Sequence, residues 1–213
     1  GAGDMVSGVA TAAGEGTHFW DSSTNAIFYD GNGLPTNKSI MSFDGTDDHL
    51  SVPASPDFNL GTNFTVECWF QYGGNDEGGI IGNQNSSGFN GWFFRIVNST
   101  DKLDFNNYGG SGGAEIQCIT SGSLVWNPGR WYHLAMVKEG NDYELFRDGI
   151  SLARATDSST PTAGGDLFIA KDYASDETIC KMDQIRISNS ARYTSAFTPS
   201  TTPFTADANT KLL

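Results

Sequence analysis

The stretch that decides the fold runs from Trp131 to Ala153 and reads WYHLAMVKEGNDYELFRDGISLA. Its three apolar segments, 131–138, 142–147 and 150–153, are rich in the aromatic and branched residues that favour strands. Asp148-Gly149 joins the last two, and an Asp-Gly pair between apolar strands is the strongest short-range signal of a β-hairpin. The stretch therefore predicts three consecutive antiparallel strands.

The same pattern recurs across the rest of the chain. Residues 64–70 alternate cleanly, which places Phe64, Val66, Cys68 and Phe70 on one face of a strand. Helical periodicity is nearly absent, apart from one possible turn at 190–196. Further strands are predicted at 39–43, 49–52, 79–82, 91–97, 102–105, 115–120, 166–170 and 178–188. About a dozen strands joined by turns indicate an all-β fold, a two-sheet antiparallel β-sandwich of jelly-roll type.

The charge balance excludes several partners. Twelve basic and 25 acidic residues give a net charge of −13, and the basic residues are scattered. Nucleic acids and anionic membrane surfaces both require clustered Lys and Arg, so neither is expected as a partner. No apolar run approaches the roughly 18 residues of a membrane span, which excludes membrane insertion by a helix. The acidity suits a secreted or virion-surface protein and hard cations such as Ca²⁺.

The chain divides into a short tail and one domain. Residues 1–18 are interpreted as an N-terminal tail or a remnant of cloning, and residues 19–213 as a single β-sandwich domain. Cys68, Cys118 and Cys180 are too widely spaced for a zinc site or a disulfide framework. Buried thiols are favoured, and the sequence leaves open whether one pair forms a disulfide.

Five short motifs, in order and at consistent spacing, resemble the laminin-G-like domains of the concanavalin A-like lectin/glucanase fold. They are FDGTDDHL at 43–50, FTVECW at 64–69, GRWYHLA at 129–135, LFRDG at 145–149 and MDQIRI at 182–187. Trp131 and Trp69 are expected to supply large surfaces of the core.

The C-terminal residues point to a particular group of laminin-G-like domains. Residues 191–213 are similar to the tails of such domains in structural proteins of phages and marine viruses. The resemblance implies a location on a virion surface or outside cells. It implies that the partner is a glycan or another virion or surface protein, or a second copy in a homo-oligomer.

An enzyme is not expected. Retaining glycosidases of the concanavalin A-like fold carry the motif Glu-x-Asp-x-x-Glu, which holds two carboxylates about 5–5.5 Å apart. This motif does not occur in the sequence. Residues 109–113 match Gly-x-Ser-x-Gly, but without the strand-to-helix turn of a nucleophile elbow. The three histidines are scattered, and His133 is interpreted as a structural residue of its strand.

Two groups of carboxylates are candidate Ca²⁺ sites, because Ca²⁺ prefers oxygen ligands held in loops. The loop at 171–177 carries Asp172, Asp176 and Glu177. The resemblance to pentraxin-like members implies that this loop binds calcium with help from the loop at 83–90. It also implies a second, structural ion held by Asp21 and Asp183. The alternative is that these are solvated loop charges and turn caps.

Sugar binding requires exposed aromatic rings beside amides and carboxylates. Three polar loops have this composition, and they supply the candidate glycan-binding residues Asn83, Asn85, Phe89, Asn90, Asn107, Tyr108 and Tyr173. The alternative for each loop is an ordinary solvated turn. The sequence therefore predicts a non-enzymatic binding or adhesion module that recognises glycan. The alternative function is a structural decoration or assembly domain of a virion, whose partner is protein.

Overall fold

The computed structural model describes residues 18–21, 26–29, 40–74, 78–85, 90–97, 100–109, 114–172 and 177–213, with the backbone alone at 18–21, 26–29 and 114–115. Within these ranges the chain is built from strands, and its helical structure there is one 3-10 turn at Pro56–Phe58. No described helix is long and apolar enough to cross a membrane.

The strands follow one another with short connections. They are β1 (His18–Asp21), β2 (Ala26–Tyr29), β3 (Met41–Asp44), β4 (Leu50–Val52), β5 (Asn63–Tyr72), β6 (Gly78–Gly82), β7 (Asn90–Val97), β8 (Lys102–Gly109), β9 (Ala114–Ile119), β10 (Trp131–Glu139), β11 (Asp142–Arg147), β12 (Ile150–Thr156), β13 (Leu167–Ile169), β14 (Ile179–Ser188) and β15 (Thr210–Leu212).

These strands form two main antiparallel sheets. The seven-stranded sheet has the order β12-β11-β10-β5-β14-β15, with β3 also paired to β14. The six-stranded sheet has the order β4-β13-β6-β7-β8-β9, and β1 and β2 pair with each other. The predicted two-sheet antiparallel β-sandwich of jelly-roll type is confirmed. Neighbours in each sheet are often distant in sequence, so loops from separate parts of the chain meet at the ends of the sheets.

The apolar core lies between the two sheets, and strand alternation supplies it. The four residues predicted to share one face of β5 are all buried there: Phe64, Val66, Cys68 and Phe70. Trp92 of β7 is fully enclosed, and its indole N–H donates to the carbonyl oxygen of Phe58 at 2.8 Å. That bond satisfies the polar group of a ring that is otherwise surrounded by apolar side chains.

The prediction that Trp69 and Trp131 supply core surface is wrong. Cys68 and Tyr132 point into the core, so the two-residue period of a strand sends Trp69 and Trp131 to the outer face of the seven-stranded sheet. Both rings are half-buried there. Trp126, in contrast, is buried in the core, where its ring centroid lies 5.2 Å from that of Tyr132.

The hairpin between β11 and β12 forms as predicted. Asp148 and Gly149 both have positive φ, 54° and 76°, as the two central residues of a type I′ turn require. The helical turn expected at 190–196 does not form. Instead this segment packs on the outer face of the seven-stranded sheet, where Tyr193 and Phe197 join a second apolar cluster with Phe146.

The three cysteines are free and buried. Burial raises the pKa of the Cys118 thiol to about 12, so this sulfur stays protonated at neutral pH. The interpretation as buried structural thiols is confirmed.

Candidate functional site

A buried ionic network occupies the outer face of the seven-stranded sheet. The Glu67 carboxylate accepts hydrogen bonds from His133 Nε2 at 3.1 Å, Arg186 Nε at 2.8 Å and Tyr193 Oη at 2.7 Å. Burial alone would raise the pKa of Glu67, but the His133 hydrogen bond and the Arg186 charge outweigh it and lower the pKa. The Glu67 and His133 side chains have no exposed surface. His133 is therefore structural, as its position in the strand predicted.

Two loops, one between β6 and β7 and one between β12 and β13, meet at one end of the six-stranded sheet. We call the surface they form the amide rim: Gln84, Asn85, Asn90 and Gly164. Gly164 packs against the backbones of Asn83 and Asn90, and the backbone N–H of Asn85 donates to the Asn90 carbonyl at 2.8 Å. Gly91 has a φ of 109°, and a side chain there would meet Asn83 and Gln84. This close approach requires glycine.

Asn83 lies beneath the amide rim and cannot reach a ligand. Its side chain is fully buried, Nδ2 donates to the Phe58 carbonyl at 3.4 Å, and Oδ1 accepts from Trp92 N–H at 3.1 Å. Asn107 is equally buried, and its Oδ1 accepts from Thr162 N–H at 3.1 Å. Both predicted glycan contacts therefore hold loops in place.

Gln84 and Asn85 differ from these anchors. Both amide atoms of Gln84 and the Oδ1 of Asn85 are buried, and no residue in the described part of the chain hydrogen-bonds to them. Asn85 Nδ2 donates to the Gly164 carbonyl at 2.6 Å, which fixes the orientation of that amide. A buried amide atom without a partner costs free energy that a polar ligand can recover. Gln84 was not among the predicted contacts, although it belongs to the polar loop that suggested them.

The other predicted sugar contacts separate into two groups. Asn90 lies half-buried on the amide rim, and Tyr108 lies nearby on the outer face of the six-stranded sheet, half-buried and stacked on Phe93 with ring centroids 5.8 Å apart. Phe89 and Tyr173 lie outside the described residues.

The loop at 171–177 lies at the opposite end of the six-stranded sheet. β13 pairs with β6 through Phe168 and Gly82, and Lys171 packs against Gly79 at the start of β6. The amide rim follows the end of β6, so about 15 Å of strand separates the two loops. The described ends of the two loops therefore lie apart, and a calcium site that draws on both loops stays a prediction.

The acidic residues of this opposite end are partly neutralised. Glu177 Oε1 lies 3.2 Å from Lys171 Nζ and 4.0 Å from His49 Nδ1. Asp172 is buried, and Asp176 lies outside the described residues. Lys171 therefore neutralises part of the negative charge of this loop, and a calcium ion would have to share Glu177 with Lys171.

Sequence reasoning missed a group of carboxylates beside this loop. Asp44, Asp47 and Asp48 bring ligand oxygens within 4.8 Å of one another. Asp44 pairs with Ile179, two residues after Glu177, so these carboxylates and the 171–177 loop share one end of the molecule. We call it the acidic pole: Asp44, Asp47, Asp48, Asp172 and Glu177. The signal in the sequence was three aspartates within five residues, inside the FDGTDDHL motif at 43–50.

Of the second predicted pair of metal ligands, Asp21 and Asp183, the structure describes the side chain of Asp183 only. Asp183 is 5% exposed, and burial raises its pKa to about 6, against the opposing effect of hydrogen bonds from Gln184. The Gln184 N–H donates to Asp183 Oδ1 at 2.8 Å. Asp21 ends β1, but its side chain is outside the described atoms. An ion between Asp21 and Asp183 stays a prediction.

The comparisons with known proteins agree with this architecture. A family model described as "Concanavalin A-like lectin/glucanases superfamily" matches residues 44–195, more than half of the chain. No curated protein matches the sequence significantly.

Several solved structures share the fold at low sequence identity. Domains LG4-5 of the mouse laminin α1 chain superpose with a TM-score of 0.52 at 15% identity, over 73% of this chain and 44% of that one. A Bacteroides ovatus protein to which carbohydrate binding is ascribed superposes with a TM-score of 0.53 at 15% identity, over 78% of this chain and 51% of that one.

A pentraxin from Limulus polyphemus gives a TM-score of 0.49 at 17% identity, over 71% of this chain and 76% of that one. The chain spans about half the length of the laminin and Bacteroides proteins. The solved structures show that the β-sandwich fold is shared, and the match to the family model shows which family the sequence belongs to. The chain belongs to the concanavalin A-like lectin/glucanases superfamily as a laminin-G-like domain.

Proposed function

We propose that this domain is a non-enzymatic carbohydrate-binding module that contacts glycan through the amide rim. The observation that carries the proposal is the set of buried amide atoms of Gln84 and Asn85 that find no hydrogen-bond partner among the described residues. Sugar hydroxyls both donate and accept hydrogen bonds, and side-chain amides are their natural partners. Tyr108, on the adjacent sheet face, offers the apolar ring surface that stacks on a pyranose.

We propose a binding module without catalytic activity because two of its glutamates, Glu67 and Glu144, are held by basic or donor side chains. Glu67 is enclosed by three donors, and Glu144 is paired with Arg154 at 2.7 Å. A glycosidase requires two carboxylates that face the same substrate, with one of them free to exchange a proton. Neither of these glutamates meets that requirement.

Calcium is a separate part of the proposal. The acidic pole and Asp183 offer the hard oxygen ligands that Ca²⁺ prefers. Because the pole lies at the other end of the six-stranded sheet, glycan contact at the amide rim does not require the ion. Calcium here would order loops and raise stability.

A printed glycan array tests the function. The purified domain is applied at pH 7 once with millimolar Ca²⁺ and once with EDTA. We expect binding to a defined group of glycans in both conditions. Binding that appears with Ca²⁺ alone would contradict the metal-independent rim, and no binding in either condition would contradict the carbohydrate-binding function.

A second candidate function is that of a structural decoration or assembly domain, displayed on a virion or another extracellular surface, whose partner is protein or a second copy. β12 is an edge strand of the seven-stranded sheet, and its first residue, Ile150, is 64% exposed. Edge strands with exposed apolar residues are sites of strand addition. This reading predicts oligomers in light scattering that Ile150→Lys disperses, together with a blank glycan array.

A further inference from the structure

The outer face of the six-stranded sheet carries a polar group that the amide rim does not include. On β8, Leu103 and Phe105 point into the core, so Asp104 and Asn106 face outward. We call the group on this face the sheet-face cluster: Phe93, Arg95, Asp104, Asn106 and Tyr108. The strand register places Arg95 opposite Asp104 and Phe93 opposite Asn106.

The hydrogen bonds of this cluster leave two oxygen atoms unused. Arg95 Nε donates to Asp104 Oδ2 at 3.3 Å, and Asn106 Nδ2 donates to the same oxygen. Asp104 Oδ1 and Asn106 Oδ1 are buried, and within the described ranges no donor lies within hydrogen-bonding distance of either, although the Gln117 side chain on β9 interacts with the Asp104 carboxylate and opposes the rise that burial causes in its pKa. Both side chains are fully buried, so each unused acceptor carries a desolvation cost.

Arg95 covers the cluster from the solvent side. Its side chain is 24% exposed, whereas that of Asp104 is fully buried. The guanidinium lies 4.4 Å from the centroid of the Phe93 ring, and Tyr108 stacks on the same ring system at 5.8 Å. Because the guanidinium lies over the Phe93 ring and bonds Asp104 at the same time, a ligand that contacts both must displace it.

We propose that the sheet-face cluster is a second carbohydrate subsite, which takes an uncharged sugar unit with two neighbouring hydroxyl groups. The hydroxyls donate to Asp104 Oδ1 and Asn106 Oδ1, while the apolar face of the sugar replaces the Arg95 guanidinium over Phe93. This inference rests on the proposed carbohydrate-binding function and extends it to a site outside the amide rim.

The chemistry of the unused atoms selects the ligand. Both are acceptors, so the ligand must donate, and hydroxyl groups donate without carrying charge. Sulfate or carboxylate groups would meet the Asp104 carboxylate in a chain of net charge −13. A Ca²⁺ ion takes six to eight oxygen ligands, whereas the cluster offers two unused oxygens. An uncharged glycan satisfies both conditions.

The two subsites are neighbours. Asn90 on the amide rim pairs with Gly109, three residues beyond Asn106 on β8. This separation corresponds to about 10 Å along the strand. A single oligosaccharide could then contact both surfaces, so affinity should increase with the number of sugar units.

The test uses the wild-type domain, two variants of the sheet-face cluster and a control. Asn106→Leu and Asp104→Leu each remove one unused acceptor while filling its volume, and Asn127→Ala changes an exposed asparagine in the loop between β9 and β10. Binding of the neutral oligosaccharide that gives the strongest array signal is measured by calorimetry, together with its sulfated form. Melting temperatures establish that each variant is folded.

We expect each cluster variant to weaken neutral-glycan binding at least tenfold, the control to leave it unchanged, and the sulfated form to bind at least tenfold more weakly. In NMR spectra the Asn106 side-chain amide should shift on titration of the wild type. Unchanged affinity in folded Asn106→Leu and Asp104→Leu would overturn this subsite and leave the amide rim in place. Absence of any glycan binding by the wild type would overturn both.

Discussion

His133 Nε2 lies 3.1 Å from Glu67 Oε2, and both side chains are enclosed between the seven-stranded sheet and the C-terminal segment. Tyr193 of that segment donates to the same Glu67 oxygen at 2.7 Å. The pair therefore links two central strands, β10 and β5, to a segment without regular structure. Its role is to fix the C-terminal segment on the sandwich.

Loss of the buried hydrogen bonds to Glu67 should lower the free energy of unfolding substantially. Glu67→Gln leaves the buried Arg186 without its carboxylate, so we expect the free energy of unfolding to fall by about 3–5 kcal/mol. Urea denaturation at pH 7 measures it. The control is Glu144→Gln, whose partner Arg154 is 70% exposed, and its cost should stay below about 1 kcal/mol. Equal costs for the two variants would contradict the structural role of Glu67.

Asp183 should make the domain less stable as pH rises. Burial raises its pKa from 3.8 to about 6, so the folded state holds a proton there that the unfolded state releases. Stability contributed by this proton is complete below about pH 4 and is lost between about pH 4 and 6. Asp183→Asn in EDTA should therefore stabilise the domain by about 2–3 kcal/mol at pH 7. Destabilisation by this variant in EDTA would show that the carboxylate is paired.

Glu67 should make the domain less stable as the pH falls, the opposite of the pH dependence expected from Asp183. Its pKa is lowered from 4.5, so the unfolded state binds the proton more tightly, and the stability that Glu67 contributes is lost as the pH falls through its folded-state pKa. Unfolding curves of wild type and Glu67→Gln should converge in acid. Curves that keep a constant separation from pH 7 to pH 3 would be inconsistent with this ionisation.

The tryptophans should differ in their contribution to stability. Trp92→Ala removes a fully enclosed ring and should cost about 3–5 kcal/mol. Trp131→Ala removes a half-buried ring on the outer face, and we expect about 1–2 kcal/mol. Chemical denaturation of both variants measures the difference. A larger cost for Trp131→Ala than for Trp92→Ala would place Trp131 in the core.

Calcium binding should appear as a thermal shift. Millimolar Ca²⁺ should raise the melting temperature and a chelator should lower it, with about 2.7 kcal/mol of stabilisation at a hundredfold excess over Kd. If the ion sits at the 171–177 loop, Asp172→Asn combined with Asp176→Asn abolishes the shift. If it sits with Asp21, Asp183→Asn abolishes it. A melting temperature that does not respond to Ca²⁺ would contradict both metal proposals.

The fold was predictable because its determinants are local. The alternation in β5 and the Asp148-Gly149 turn fix strand faces and a hairpin without knowledge of the remaining chain. The positions of Trp69 and Trp131 were equally encoded by that alternation. They were misassigned because the size of the rings was given more weight than the two-residue period.

The candidate site was less predictable, because it depends on which strands become neighbours. The order β13-β6-β7 separates the 83–90 and 171–177 loops, and their similar composition carries no information on that separation. Asp104 and Asn106 face outward through the two-residue period of β8, but the ion pair between Arg95 and Asp104 depends on the pairing of β7 with β8. Such side-chain contacts between strands were not visible in the motifs.

The most direct test of the carbohydrate-binding function at the amide rim is calorimetric titration of the wild type, Gln84→Leu and Asn127→Ala. The titrant is the neutral oligosaccharide with the strongest array signal, in EDTA, after melting curves have established that all three proteins are folded. Gln84→Leu fills the buried volume and removes two amide atoms that have no partner in the described part of the chain. We predict that it lowers affinity at least tenfold while Asn127→Ala binds like the wild type. Equal affinities of Gln84→Leu and the wild type would contradict glycan recognition at the amide rim.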